Sequence, residues 1–232
     1  MLVDIFSSFD DHNSVFMSLY ILIWMMTLTI LSTFNMMFWA GPNRWNFVLN
    51  LPKSVMASLV MRSFGVKLGG FINIMCSLFL LLILFNLLGL VPYVFSPTSH
   101  FAMTLSLGCP FWLSLIISGS LHNPTSVIAS LLPAGAPAGL NPILVLVETA
   151  SICIRPITLS VRLAANITAG HIVLGLIGTY LSSGLFIYSV IALSLLIFIQ
   201  IMYFIFEFGI ALIQAYIFSL LITLYSDEHP SQ

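Results

Sequence analysis

Four charged residues stand inside long apolar stretches, and their types and spacing could support chemistry. Glu148, Arg155 and Arg162 lie in one stretch, and Glu207 lies in the next. Charged groups in a membrane are energetically unfavourable, so they are functional candidates by default. A carboxylate can accept and release a proton, whereas an arginine stays protonated and acts as a fixed positive charge. The combination is typical of a proton path with a positive gate.

Seven-residue spacings put the polar residues of each stretch on one stripe of a helix, because seven residues are nearly two helical turns. In the first stretch the stripe contains Glu148, Arg155 and Arg162, with Asn166 one turn further. In the second stretch it contains Gln200, Glu207 and Gln214. Two facing helices with such stripes could host water and pass protons.

A simpler interpretation is that the two acids and two arginines pair with one another and only hold a helix hairpin together. Pairing, however, does not require stripes that run most of the way across a membrane. His171 adds a group that can titrate near neutral pH, although a lone histidine is often structural. Arg155 fits a structural partner and a pathway residue equally well, and Pro156 beside it predicts a kink.

The composition defines the surroundings of these residues. Of 232 residues, 60% are hydrophobic and 6% are charged, whereas soluble domains have about 25% charged residues. So few charges cannot cover the surface of a soluble fold, and a disordered chain would be less apolar. Six lysines and arginines form no basic stripe, which argues against a nucleic-acid partner. The composition therefore predicts an integral membrane protein embedded in a lipid bilayer.

The cysteines and the first residues exclude several other features. Cys76, Cys109 and Cys153 each lie in an apolar run without a CxxC pair, so we interpret them as small hydrophobic residues. No metal or cofactor is expected. Residues 1–13 contain three acids and no basic residue, so neither a signal peptide nor a mitochondrial import peptide is predicted.

Apolar stretches predict an all-α protein with about five membrane-embedded helices in a single membrane domain, 1–232. We expect an outer-side tail at 1–14, a first span at 15–39, and two spans within 71–121. Residues 122–141 are rich in Pro, Gly and Ala and indicate a loop. The last two helices form a long polar-striped hairpin, 141–225, with its turn at Ser182-Ser183-Gly184. Its arms are too long for a 30 Å hydrocarbon core, so they are broken or strongly tilted.

The segment 42–67 differs from the rest because it holds four of the six basic residues: Arg44, Lys53, Arg62 and Lys67. Apolar residues between them are spaced as one helical face: Val55, Met56, Leu59, Val60 and Phe64. This pattern predicts an amphipathic helix on the membrane surface, with a solvated connecting loop as the alternative. Its positive charge predicts the cytoplasmic or matrix side.

Three stretches resemble one known family. The sequence RPITLSVRLAANITAGH, from Arg155 to His171, closely resembles the signature of subunit a of the F-type ATP synthase. Residues 85–93, FNLLGLVPY, resemble an earlier helix of that family, and Glu207 with Gln214 before AYIF resembles its final helix. The resemblance covers nearly the whole chain, and its most specific part surrounds Arg162.

One exchange within the motifs indicates which branch of the family this chain resembles. The short N-terminus and His171 look like the animal mitochondrial form. Bacterial members tend to place an acid at the position of His171 and a histidine at the position of Glu207. This chain has the reverse arrangement, with the histidine at 171 and the acid at 207, so the pair still consists of one histidine and one acid.

The resemblance implies a multi-pass stator subunit of the mitochondrial inner membrane. Its expected partners are the rotating c-ring, other membrane-sector subunits, peripheral-stalk subunits, and protons as the transported ion. Two aqueous half-channels would meet the ring, and a strongly tilted hairpin would lie against it. The chain has no GxxxxGK[ST] loop, so it would not be catalytic alone, and ATP chemistry would sit on other subunits.

The resemblance also implies a role for each polar residue. Arg162 would separate the half-channels and draw the proton from each arriving ring carboxylate. The proton uptake path would be lined by His171 and Glu207, with Gln214 and Asn166 as polar neighbours and Asn86 as a weaker candidate. Glu148 would serve the matrix exit.

Three other classes of protein remain possible on the residues alone. A haem or quinone subunit would usually need paired histidines, and only His171 lies well inside an apolar run. A stand-alone channel or secondary transporter often has internal repeats, and none is evident. A structural scaffold would tolerate neutral replacements at Glu207 and His171.

Overall fold

The computed structural model of the chain describes Met25, Thr29 and residues 44–91, 96–132, 138–184 and 189–228. All regular structure in these ranges is helical. The six α-helices are α1 (Arg44–Val60), α2 (Phe71–Gly89), α3 (Phe101–His122), α4 (Pro124–Ser130), α5 (Asn141–Gly184) and α6 (Val190–Asp227). Short 3₁₀ turns at Phe64–Lys67, Pro97–Ser99 and Ala138–Leu140 lie between them.

Four of these helices, α2, α3, α5 and α6, are long and apolar enough to cross a membrane. Their polar backbone groups bond within each helix, as a spanning segment requires. The protein is therefore a multi-pass, all-α membrane protein, which confirms the predicted fold class. The predicted first span, 15–39, and the tail before it lie outside the described residues apart from Met25 and Thr29.

Helices α5 and α6 form an antiparallel hairpin of unusual length. They contain 44 and 38 residues, or about 66 and 57 Å at 1.5 Å per residue. Three contacts fix the antiparallel register, since position 155 meets 228, 166 meets 214 and 170 meets 207. Helix α5 is continuous through Pro156. The hairpin is thus long rather than broken, and its tilt in the membrane stays a prediction.

The predicted turn at Ser182-Ser183-Gly184 is wrong, because these residues form the last turn of α5. The Ser182 hydroxyl donates to the Thr179 carbonyl at 2.9 Å, and the Ser183 hydroxyl donates to the Tyr180 carbonyl at 3.2 Å. Such bonds to the preceding turn let serine remain inside a helix. Helix α5 therefore includes all three residues.

The segment predicted as a loop, 122–141, contains the short helix α4. The Asn123 side-chain oxygen accepts from the Ser126 backbone N–H at 3.4 Å and from the Thr125 hydroxyl at 2.8 Å. Pro124 occupies the first helical position, where its missing N–H is not needed. Asparagine followed by proline thus starts a helix within the Pro-rich segment.

Helix α1 confirms a helix in the basic segment, but the predicted apolar face is only partly correct. Met56 and Val60 are fully buried in the core, whereas Val55 is exposed. Phe64 lies beyond the end of the helix, in the following 3₁₀ turn, and is also exposed. The buried face points at protein, because the Ser219 hydroxyl of α6 contacts the Met56 sulfur at 3.3 Å. Placement on the membrane surface stays a prediction.

One hydrophobic core joins α1, α2, α5 and α6. It includes Met75 and Leu82 from α2, Leu163 from α5, and Phe218 from α6, each almost fully buried. Dense packing of this kind holds the helices at fixed separations. The core therefore fixes one face of α5 against the other helices.

Candidate functional site

Helix α5 has a buried face and an exposed face, and Arg162 lies on the exposed one. Leu159, Leu163 and Ile167, spaced by four residues, are all buried, and the two leucines belong to the core. Arg162 is exposed, and its neighbour Val161 is 44% exposed. Residues four apart share one side of a helix, so the buried leucines fix the direction in which Arg162 points. The sequence predicted the stripe but not which way it faced.

Arg162 makes no ion pair with any acid in the described parts of the chain. A guanidinium group stays protonated under all ordinary conditions. Its free energy would be unfavourable against lipid, so water or another molecule must cover this face in the membrane. The arrangement leaves a fixed positive charge on the exposed face of α5.

Glu207 is placed differently, because it is buried between α5 and α6. Its exposed fraction is 3%, and neither carboxyl oxygen has a hydrogen-bond partner among the residues that the structure describes. The carboxyl group lies over Gly170, where an added Cβ atom would overlap it. The absence of a side chain at Gly170 therefore makes room for this acid inside the hairpin.

A cavity of about 120 Å³ adjoins the Glu207 carboxyl group. Its lining includes Asn166 and Gly170 from α5 and Tyr203 and Glu207 from α6. This volume has room for water, and the polar walls could bond it. A buried acid beside such a space can exchange a proton through water. Sequence reasoning missed Tyr203, which lies one helical turn before Glu207.

A hydrogen bond joins the polar stripe of α5 to that of α6. The Asn166 side-chain amide donates to Gln214 Oε1 at 2.8 Å, and Gln214 is buried. His171 follows Gly170 and is half-buried. Its Nε2 atom lies 3.9 Å from the position that a Cβ atom would take at Gly89 of α2. The structure thus gathers Asn166, His171 and Gln214 around the level of Glu207.

Asn86 extends this polar region to α2. Its side-chain amide donates to the Ala211 carbonyl of α6 at 3.1 Å, and the residue is fully buried. Its Oδ1 atom has no hydrogen-bond partner within the described ranges. Ala211 lies one turn after Glu207, so Asn86 is close to the level of the buried acid. Gln200, by contrast, is half-exposed two turns before Glu207 and takes no part in the bonds between α5 and α6.

A second charged cluster forms where α5 meets the end of α6. Arg155 pairs with Glu148, which lies about two turns earlier on the same stripe, at 3.6 Å, and also with Glu228. The guanidinium carbon lies 5.3 Å from the ring centroid of Tyr225. A cavity of about 380 Å³ lies beside the cluster, and its lining includes Trp112, Glu148 and Glu228. Sequence reasoning missed Glu228, because the sequence shows only an acid after the last apolar stretch and does not indicate that it pairs with Arg155.

The interpretation in which the two acids and two arginines all pair with one another is wrong for the described residues. Glu148 and Arg155 form a pair, but Glu207 and Arg162 take part in no ion pair there. The fold separates them because Glu207 points into the hairpin at Gly170, whereas Arg162 lies on the exposed face of α5. Mutual pairing therefore does not explain Arg162 or Glu207.

The fold and the site define a class of multi-pass membrane protein. It has a long antiparallel hairpin with a buried acid, an exposed fixed cation and a separate acid–arginine cluster. Residues 14–227 match the family described as ATP synthase A chain. The chain belongs to this family and is a membrane-sector subunit of ATP synthase.

Similar proteins from animals cover this chain almost completely. The ATP synthase subunit a of Artemia franciscana is 40% identical, over 98% of this chain and 100% of that protein. That of Albinaria caerulea is 37% identical, over 99% of this chain and 100% of that protein. That of Locusta migratoria is 39% identical, over 98% of this chain and 99% of that protein.

Proposed function

We propose that the chain is the stationary proton-conducting subunit that acts against a rotating c-ring in the mitochondrial inner membrane. It would provide two half-channels and couple proton transfer to rotation and ATP synthesis. The observation that carries this proposal is the exposed Arg162, which has no acid partner in the described part of the chain. A carboxylate on a neighbouring ring would supply the missing partner.

Arg162 would act on each ring carboxylate as it arrives. A carboxyl group facing lipid must be protonated, because an ionised group there is highly unfavourable. A nearby guanidinium group favours the ionised form, so the carboxyl group releases its proton as it approaches Arg162. The same fixed charge repels protons and would prevent a direct leak between the half-channels. The membrane potential would supply about 2.3 kcal/mol per charge per 100 mV.

Glu207 would be the central group of the uptake half-channel. Support comes from its burial and from the polar cavity beside it. Asn166 and Gln214, joined by a hydrogen bond, would hold water near the carboxyl group. His171 would be a second proton carrier, and Asn86 would orient water through its amide oxygen.

Glu148 would serve the exit half-channel on the matrix side. The cavity beside Glu148, Arg155 and Glu228 supports a wet site at this end of the hairpin. Arg155 would bridge the two acids and join α5 to the end of α6 through its ion pairs. We assign it a structural role beside the pathway, since it cannot carry a proton. Gln200 would contribute only to the outer part of the stripe.

The domain organisation would follow from this role. We propose a single membrane domain in which the tail 1–14 lies outside and 15–39 forms the first span. The basic segment 42–67 would lie on the matrix surface, two spans would fill 71–121, and the hairpin 141–225 would tilt along the ring. Helices of about 66 and 57 Å exceed a core of about 30 Å, which supports a strong tilt.

Other subunits of ATP synthase would surround this chain. The c-ring would cover the exposed face of α5, and further membrane-sector and peripheral-stalk subunits would hold the chain against rotation. Nucleotide chemistry would take place on other chains, since this sequence has no phosphate-binding GxxxxGK[ST] loop.

The test is ATP synthesis by the assembled complex in vesicles, driven by an imposed proton gradient. Arg162→Ala should abolish synthesis, and an added passive proton leak would indicate that Arg162 also separates the half-channels. Arg62→Ala, which removes an exposed arginine outside the hairpin, is the matched control and should leave synthesis near the wild-type rate. Normal synthesis by assembled Arg162→Ala complex would refute the proposal.

A further inference from the structure

A groove of about 400 Å³ lies between α1, α2 and α3, away from the proposed proton path. Lys53 of α1 lies at the groove, together with Asn73 and Ser77 of α2. The remaining lining is mainly apolar and includes Leu81 of α2 and Phe111 of α3. The groove therefore combines a cation and two neutral polar side chains with a hydrocarbon surface.

The polar and apolar parts are separated along α2. Asn73 lies in the first turn of this helix and Ser77 one turn later, next to the basic segment that contains Lys53. Leu81 lies eight residues after Asn73, which is about 12 Å along a helix. The polarity thus changes from the helix end toward the middle of the span, as it does along a phospholipid.

Lys53 has an uncompensated charge in the described part of the chain. Lys53 takes part in no ion pair there, because Glu148 and Glu228 pair with Arg155 and the Asp227 carboxylate accepts from the Phe64 N–H. Glu207 is buried in the hairpin. Lys53 is also held in place, since its carbonyl oxygen accepts from the Cys76 thiol at 3.6 Å and thereby joins α1 to α2.

We propose that this groove binds an acidic phospholipid, with its phosphate on Lys53 and Asn73 beside Ser77 and an acyl chain along Leu81, Leu107 and Phe111. An ammonium group without an acid partner favours a lipid of net negative charge over a zwitterionic one. The Asn73 side-chain amide donates to a further phosphate oxygen. The Ser77 hydroxyl donates to the Ile74 carbonyl at 2.8 Å, so it adds polarity at the headgroup but no free proton. The bound lipid would fill the space between the basic segment and two spans and stabilise their packing. The proposal does not depend on the proton path.

The test uses the purified complex in vesicles of phosphatidylcholine that contain a trace of phosphatidylglycerol with a photoreactive group in one acyl chain. Peptide mapping should find adducts on α2 and α3 next to the groove. Lys53→Gln should lower this labelling about five-fold, the effect of one lysine on an acidic lipid. Arg62→Gln, an exposed basic residue of the same segment, is the matched control and should retain the labelling.

Two further experiments test the proposal without a substitution at Lys53. Unlabelled phosphatidylglycerol should compete with the probe, whereas extra phosphatidylcholine or inorganic phosphate should not. Leu107→Trp would fill the apolar end and should also lower the labelling while Lys53 remains. Equal labelling by a photoreactive phosphatidylcholine, or adducts that persist at wild-type level in Lys53→Gln, would overturn the proposal. Loss of ATP synthesis in Arg162→Ala has no bearing on these outcomes.

Discussion

At the scale of single residues, two charged side chains of the hairpin lie in opposite surroundings. Arg162 is exposed on one face of α5, whereas the Glu207 carboxyl group is enclosed beside Gly170. A fixed cation must reach an outside partner, but an acid that exchanges protons with water needs a sheltered polar space. The two positions therefore fit the two roles that we propose for these residues.

A methyl group at Gly170 should disturb Glu207. Gly170→Ala would place a Cβ atom within the present position of the carboxyl group, and relief of such overlap typically costs about 1–3 kcal/mol. We expect the acid to move and proton-driven ATP synthesis to fall several-fold in assembled complex. Gly175→Ala is the control, since no atom lies within 4 Å of a Cβ there. Equal rates for the two variants would show that the position of Glu207 is unimportant.

Replacement of Glu148 should affect proton release. Glu148→Gln removes a titratable group but keeps the shape of the side chain, so assembly should be normal while passive proton flux through the membrane sector slows. Proton transfer by a positioned group typically contributes a factor of about 10²–10⁴. Glu148→Asp, which keeps the acid, should retain most of the flux measured with a pH dye inside vesicles. Failure of Glu148→Gln to assemble would indicate a structural role instead.

At the scale of elements, the end of α6 holds the basic segment in place. The Asp227 carboxylate accepts from the Phe64 N–H at 2.8 Å. Gly65 is buried in the same turn, where an added Cβ atom would lie 2.6 Å from the Phe71 ring and 2.8 Å from the Ser226 hydroxyl. The turn after α1 is thus packed closely against both α2 and α6, which explains why α1 joins the core.

This packing predicts a difference between two glycines of one segment. Gly65→Ala should destabilise the protein by about 1–3 kcal/mol, because the aromatic ring and α6 must both shift. Gly69→Ala, where no atom lies within 4 Å of an added Cβ, should have almost no effect. The temperature at which the purified complex loses this subunit provides the measurement. A similar loss for both variants would contradict the close packing at Gly65.

At the scale of the whole molecule, our proposal gives two exposed faces different surroundings: the c-ring covers α5 beside Arg162, whereas lipid covers α3. Val161 and Leu113 have nearly equal exposed fractions, 44% and 43%. Val161 adjoins Arg162 on α5, whereas Leu113 lies on α3 among other apolar side chains. Equal exposure in the isolated chain therefore does not imply the same surroundings in the complex.

A photoreactive amino acid at each position should distinguish these surroundings. From position 161 we expect a cross-link to a small, lipid-soluble subunit, because a protein surface with carboxyl groups must cover Arg162. From position 113 we expect no adduct with that subunit. Mass spectrometry of the adducts gives the result. Only lipid adducts from position 161 would argue against a c-ring on this face.

The sequence alone determined the membrane fold class, because 60% hydrophobic residues and few charges leave no other solution. Seven-residue spacing also determined the polar stripes, since helical periodicity follows from backbone geometry. Only the tertiary structure decided which way each stripe faces. Arg162 is exposed because its neighbours Leu159 and Leu163 enter the core, and Glu228 reaches Arg155 because α6 runs antiparallel to α5. Contacts between residues so far apart in sequence depend on packing, which no local pattern encodes.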